Sequence, residues 1–157
     1  MMIRTGTFDE SYLLLKKLWP DSHHIRNFDN SVGLVEWQPT EYYKIVPKFY
    51  VIENQHTNVV ATVHGYLASR STICIRGLHY EDTVSIDLLK KLIVTLINEI
   101  KTNESKKAYL VHKENLNRLL DQLGFDLTTG PIWTNDWKVY ISWIFNIAQL
   151  QPPGQTQ

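Results

Sequence analysis

The sequence predicts an α/β domain with a mixed central sheet flanked by helices, and three observations predict it. First, Leu89, Leu92, Ile93, Leu96, Ile97 and Ile100 recur at the spacing of one apolar stripe on a helix, with Lys90, Lys91, Asn98, Glu99 and Lys101 on the other side. Second, β-rich runs flank that helix. Residues 71–80 precede it, and residues 107–112 come after it with Ala108, Leu110 and His112 alternating against Tyr109 and Val111. A strand, a helix and a strand joined by short connections imply a parallel pair with a right-handed crossover. Third, hairpin signals lie upstream, so antiparallel strands join the parallel pair.

Residues 1–5 form a short strand. Thr7 followed by Glu10 is a capping box that opens a helix to about Leu18, with Phe8, Tyr12, Leu15 and Trp19 on its buried side. Pro20 closes it. Residues 21–30 are polar enough for a loop or a short second helix, and residues 31–47, with Trp37, Tyr42, Tyr43 and two prolines, suit an irregular segment that could line a pocket. Residues 49–53 and 59–68 form a hairpin around the polar turn 54–58, and 69–71 turn into a third strand at 72–80. Gly77 inside that strand marks a bulge or a close backbone approach. The long helix starts near Ser85, where Thr83 or Ser85 can cap it. After the 107–112 strand come a helix at 114–123 ending in Gly124-Phe125, a turn at 128–131, a strand at 132–133 and a closing strand at 137–146. On that last strand Val139, Ile141, Trp143 and Phe145 share one face, and the aromatic residues of 133–143 read as core or sheet packing. Residues 1–146 make a single domain. Residues 147–157, with Pro152-Pro153-Gly154 and glutamines, form a tail with little to bury.

Composition narrows the function classes. A chain of 157 residues supports one sizeable core. Its net charge of zero and 43% hydrophobic content argue against a disordered chain and against a nucleic-acid partner. The lone Cys74 excludes an internal disulfide and a zinc thiolate cluster, and favours a reducing compartment. His23-His24 lack the ligand spacing of a metal site, so no metal is expected. No apolar stretch approaches the roughly 20 residues of a spanning helix, and the first residues have no signal-like core. The expectation is a soluble cytoplasmic protein with no membrane partner; a homodimer stays open.

Taken from Met1 to Asn146, this order of elements resembles the GNAT-type N-acetyltransferase superfamily. The best local match is the helix at 114–123 followed by Gly124-Phe125, similar to that family's helix ending in a Leu-Gly-Phe turn, although Gly124 also reads as an ordinary left-handed helix end. The resemblance implies a GNAT-like fold, and acyl transfer from acetyl-CoA or another acyl-CoA to a small-molecule amine or a protein amino group. The cofactor would lie where strands 72–80 and 107–112 splay. It would meet the backbone near Leu78, the turn and helix start at Thr83, Val84 and Ser85, and Asn115. The chain departs from the family in two places. Where members carry a glycine-rich loop, this sequence has Glu81-Asp82-Thr83-Val84-Ser85-Ile86, so negative charge and the branched Val84 are expected to hinder a diphosphate. Where many members carry a tyrosine proton donor, it has Leu120.

Other residues then become catalytic candidates. His79 lies at the end of the first parallel strand, on the same face as Glu81, and imidazole titrates near neutral pH. Tyr80 projects oppositely, and His112 ends the second parallel strand. Strand ends are where open α/β sheets collect ligands. The leading expectation is a divergent acyl-CoA-dependent N-acyltransferase using His79, Tyr80 and His112. The competing expectation is a non-catalytic binding or interaction module on the same fold, without the cofactor loop.

Overall fold

Ser85 starts the long helix. Its backbone is extended, and its hydroxyl accepts the Leu88 N–H at 3.2 Å, which satisfies one of the amides a helix start leaves open. The helix then places Leu89, Leu92, Ile93, Leu96 and Ile97 on one buried face, each at 1% exposure or less. In the computed structural model, which describes residues 1–18, 47–112, 124–127, 132–133 and 139–147, this helix links two parallel strands.

The described elements are β1 (Met2–Thr5), α1 (Phe8–Leu18), β2 (Lys48–Glu53), β3 (Val59–Leu67), β4 (Thr72–Tyr80), α2 (Ile86–Ile100), β5 (Lys107–His112), β6 (Asp126–Leu127), β7 (Ile132–Trp133) and β8 (Val139–Asn146). The strands run in the order β1-β2-β3-β4-β5-β8-β6, and β7 pairs with β8. Every pairing is antiparallel except β4 with β5. The mixed sheet and its parallel pair are those the sequence predicts. Among the described residues no helix is long and apolar enough to cross a membrane.

The two helices cover opposite faces. Tyr50 and Ile52 of β2 pack in one core with Val63, Ile73, Ile75, Ala108, Leu110 and the apolar face of α2, whereas Phe49 packs with Leu15, Phe8 and Tyr12 of α1. Successive strand residues point to opposite sides, so this split places α1 and α2 across the sheet from one another. The α2 side carries the larger core.

Several details differ from the sequence reading. The buried positions of α1 are Ser11, Leu14 and Leu15, while Phe8 and Tyr12 are half-buried at its margin. The capping box forms, and its glutamate is shared with a second partner. Thr7 Oγ1 accepts the Glu10 N–H at 3.2 Å, and the Glu10 carboxylate, which the Thr7 backbone also reaches, is held by Arg4 at 2.6 Å. Arg4 also reaches Glu53 at 2.6 Å, so one guanidinium ties β1 to α1 and β2 and holds the Glu10 carboxyl below its ordinary range. The third strand of the meander is preceded by a turn in which Ala68 and Ser69 both donate to the Thr72 carbonyl, so β3 ends at Leu67. The two-residue β6 was not foreseen. Ile147, placed in the tail by the sequence, is 8% exposed in the core and donates to the Lys106 carbonyl at 2.9 Å. Gly124 has φ +86, the left-handed conformation expected of it, and Phe125 packs on Phe145. Trp19, Pro20, the segments 21–30 and 31–46, the helix at 114–123, the turn at 128–131 and residues 148–157 lie outside the described residues.

Two positions make this packing testable. A Cβ at Gly65 would sit 2.8 Å from the Cys74 carbonyl oxygen and 3.2 Å from Leu96, because β4 and α2 both close on β3 there. Gly65→Ala is expected to lower stability by about 1–3 kcal/mol in urea unfolding; an unchanged midpoint would show that the strands can part without loss. His64 is fully buried beneath α1, its ring stacked on Phe49 at 5.1 Å, and burial, followed by the Arg76 charge, pushes its pKa down to about 3. The unfolded chain therefore takes up the proton first as pH falls. Stability from this group is complete above about pH 6.5 and lost as pH falls toward 3, with the folding constant dropping about tenfold per pH unit from this group alone. His64→Gln is expected to flatten that slope between pH 6 and 4; an identical slope would assign acid sensitivity to other groups.

Candidate active site

The site begins with a ladder that stops. β4 and β5 pair in parallel from Thr72↔Lys107 through Cys74↔Tyr109 to Ile75↔Leu110, and among the described residues no rung lies beyond. Both strands continue, β4 to Tyr80 and β5 to His112. At the same level β4 changes register against β3: His64 opposes Arg76, but Thr62 opposes His79, so Gly77 and Leu78 together face a single residue. Gly77 has φ +63. This is a bulge with glycine in the left-handed region, which bends the strand and increases its twist. The bend comes directly after the last β4–β5 rung, so among the described residues the pairing of the two parallel strands has a gap there. Gly77 thus marks the bulge that its place within a strand suggested.

Side chains around the gap divide by face. Leu78 is 1% exposed and belongs to the α2-side core, and the half-buried Tyr80 packs against that same core. Its backbone, rather than its side chain, is what Leu78 brings to the gap. His79, at 8% exposure, lies opposite the α1-side Thr62 and therefore on the α1 side. Glu81 is on that side too, because its carboxylate binds Lys17 of α1 at 2.7 Å and its N–H donates to the Val60 carbonyl at 2.9 Å. The predicted opposition of His79 and Tyr80 and the shared side of His79 and Glu81 are both present. His112 ends β5 in register with Ile141 of β8. Asn115, Leu120, His23 and His24 lie outside the described residues.

The turn into α2 corrects one expectation. Val84 does not offer its bulk to a ligand: its side chain is 7% exposed within the core, and its N–H closes the turn onto the Glu81 carbonyl at 3.0 Å. The branched residue is an inward anchor that lets the turn form without glycine. Asp82, Thr83 and Ser85 are exposed on the outside. Ile86 and Asp87 contribute first-turn amides that have no intrahelical acceptor, at the positive end of the helix dipole. Lys17 offsets the Glu81 charge, so Asp82 is the acidic group of the turn without an ion pair among the described residues.

A polar band on the α1 side was not read from the sequence. Tyr66 opposes Cys74 across the β3–β4 ladder, and His64 opposes Arg76, which brings phenol, thiol, imidazole and guanidinium onto one face. Burial, followed by Cys74, raises the Tyr66 hydroxyl to about 12, against a smaller lowering by Arg76. Burial works against the Arg76 charge, but its contacts with Cys74 and Tyr66 outweigh that, and its pKa lies above the ordinary value. Pairing the two predicted strands residue by residue was the one signal that could have found this band.

No protein-family model matches the sequence, and no curated protein matches it. Solved structures do. The aminoglycoside 6′-N-acetyltransferase from Enterococcus faecium superposes with a TM-score of 0.63 at 14% identity, covering 99% of this chain and 100% of that one. A GNAT family acetyltransferase from Elizabethkingia anophelis with acetyl-CoA bound gives 0.60 at 15% identity, over 92% and 97% of the two chains. NAA60 from Arabidopsis thaliana, in complex with a bisubstrate analogue, gives 0.60 at 12% identity, over 93% and 98%. With the parallel pair, the bulge and the helix start at the gap, these likenesses establish that the chain has the GNAT-type N-acetyltransferase fold.

Proposed function

We propose that the protein is an acyl-CoA-dependent N-acyltransferase that moves an acetyl or other acyl group onto a primary amine. The observation that carries this reading is the gap opened by the Gly77 bulge, flanked by β5 and lying before the N-terminus of α2. Its support among structural neighbours is an acetyl-CoA complex, an aminoglycoside acetyltransferase and an enzyme captured with a bisubstrate analogue.

The residues fit a CoA thioester in an uneven way. Where β4 leaves β5, the sheet has main-chain groups to give, and the amides around Gly77 and Leu78 are suited to hydrogen-bonding the pantetheine arm and polarising the thioester carbonyl. The first amides of α2, with the hydroxyls of Thr83 and Ser85, face outward for the diphosphate, and Val84 supports the turn from below. Asn115 is assigned to the same group. Asp82 opposes it. A bound acyl-CoA supplies the activated acyl group. His79, on the α1 side, takes the proton that an acceptor ammonium loses before its nitrogen can attack. Tyr80 or His112 would return a proton to the sulfur as the carbon–sulfur bond breaks.

Calorimetric titration tests the reading. Acetyl-CoA and free CoA are expected to bind, and Asp82→Gly is expected to tighten binding about fivefold, since one like-charge contact at 4 Å is worth about 1 kcal/mol in water. Silence at millimolar cofactor would favour the non-catalytic binding module. Among His79→Ala, Tyr80→Phe and His112→Ala, at least one is expected to lower turnover by about 10²–10⁴-fold while remaining folded. Full turnover in all three would leave main-chain positioning as the source of catalysis.

A further inference from the structure

Arg76 is the first residue of β4 beyond the last rung with β5, so it stands at the mouth of the gap, and its strand partner His64 puts it on the α1 side. It is half-buried, and among the described residues no carboxylate pairs with it. Among the described residues ion pairs are made by Arg4 and Lys17, and the contacts of Arg76 are a phenol and a thiol. Its Nε is buried with no hydrogen-bond partner, although a guanidinium offers five donors in one plane. On the same side of the sheet Thr62 is fully buried with its hydroxyl unpartnered, and so is Ser11 of α1. Natural folds leave few buried polar groups unsatisfied. A ligand can complete such a set, and a planar fork is matched by a carboxylate taken up on two parallel bonds.

We propose that Arg76 binds a carboxylate on the acceptor, so that the substrate is a small amine bearing an acid group, such as an amino acid, and not a polycationic amine. This rests on the acyltransferase reading and narrows it. The same guanidinium, a few positions before His79 on the same side of β4, repels an ammonium and favours the neutral amine that attacks. A polycation would meet this charge with no carboxylate paired to it among the described residues.

Two measurements test the assignment. In the free protein, Arg76→Gln removes a half-buried charge that has no carboxylate partner among the described residues, and the unfolding temperature is expected to hold or rise. A fall of several degrees, or a variant that does not fold, would mean that the guanidinium is a structural group and would overturn the proposal. In the intact protein, release of CoA from acetyl-CoA is followed with free amino acids and with the corresponding amino-acid amides. The wild type is expected to prefer the acids by at least about tenfold in kcat/KM, through KM, and Arg76→Gln is expected to bring that ratio close to one. Equal use of acids and amides, or binding of acetyl-CoA with no amino acid accepted, would sink the carboxylate site while leaving the acyltransferase reading in place. Absence of acetyl-CoA binding by calorimetry would remove that reading itself, and the proposal with it.

Discussion

The geometry of the candidate site depends on one backbone angle. Gly77 holds φ +63, a conformation that costs roughly 1–2 kcal/mol for residues with a Cβ, and there β4 gains a residue against β3. Up to Ile75 the strand belongs to a continuous sheet, bonded on one side to β3 and on the other to β5. Beyond the bulge it keeps β3 and leaves β5. The gap, the main-chain edge that lines it, and the assignment of Arg76 and His79 to one side and Leu78 to the other are all inherited from that departure. The α2 core stabilises the bend. Leu78 and Val84 on either side of the strand end are both sunk into it, so the divergent part of β4 is anchored at two points.

The two sides of the sheet carry different loads. On the α2 side apolar residues pack without interruption from Tyr50 to Leu110, and that is where the hydrophobic contribution to stability resides. On the α1 side a small cluster around Leu15 shares its space with Ser11, Thr62, His64, Tyr66, Cys74 and Arg76. A neutral imidazole and a guanidinium opposed across one rung are an uncomfortable pair to bury, and natural proteins accept such arrangements mainly where chemistry is done.

How much of this was legible depends on the range of each signal. The stripe of α2 is a local period, and it was read together with its Ser85 start. The parallel pair could be inferred from the strands on either side. Gly77 could be recognised as an irregular strand position, but its angle and the register change depend on where β3 lies. The polar band was illegible for the same reason: Tyr66 meets Cys74, and His64 meets Arg76, only through long-range pairing. Val84 misled because a branched residue in a turn can face either way, and the apolar core drew it inward. Ser11 was missed within α1 because a serine does not enter an apolar stripe, although the helix buries it beside Leu14 and Leu15.

The position of β8 bears on how the molecule assembles. β1 to β5 can form in the order in which they are made, each strand beside its predecessor, but the outer neighbour of β5 is the last described strand. Until β8 arrives, β5 is an open edge with its N–H and C=O groups unclaimed, flanked by a core of Ala108 and Leu110. A nascent or truncated chain that lacks β8 therefore exposes a hydrophobic, partnerless strand beside the parallel pair. Non-local closure of this kind is slow compared with local pairing, and it places the window for misassociation before β8 has paired.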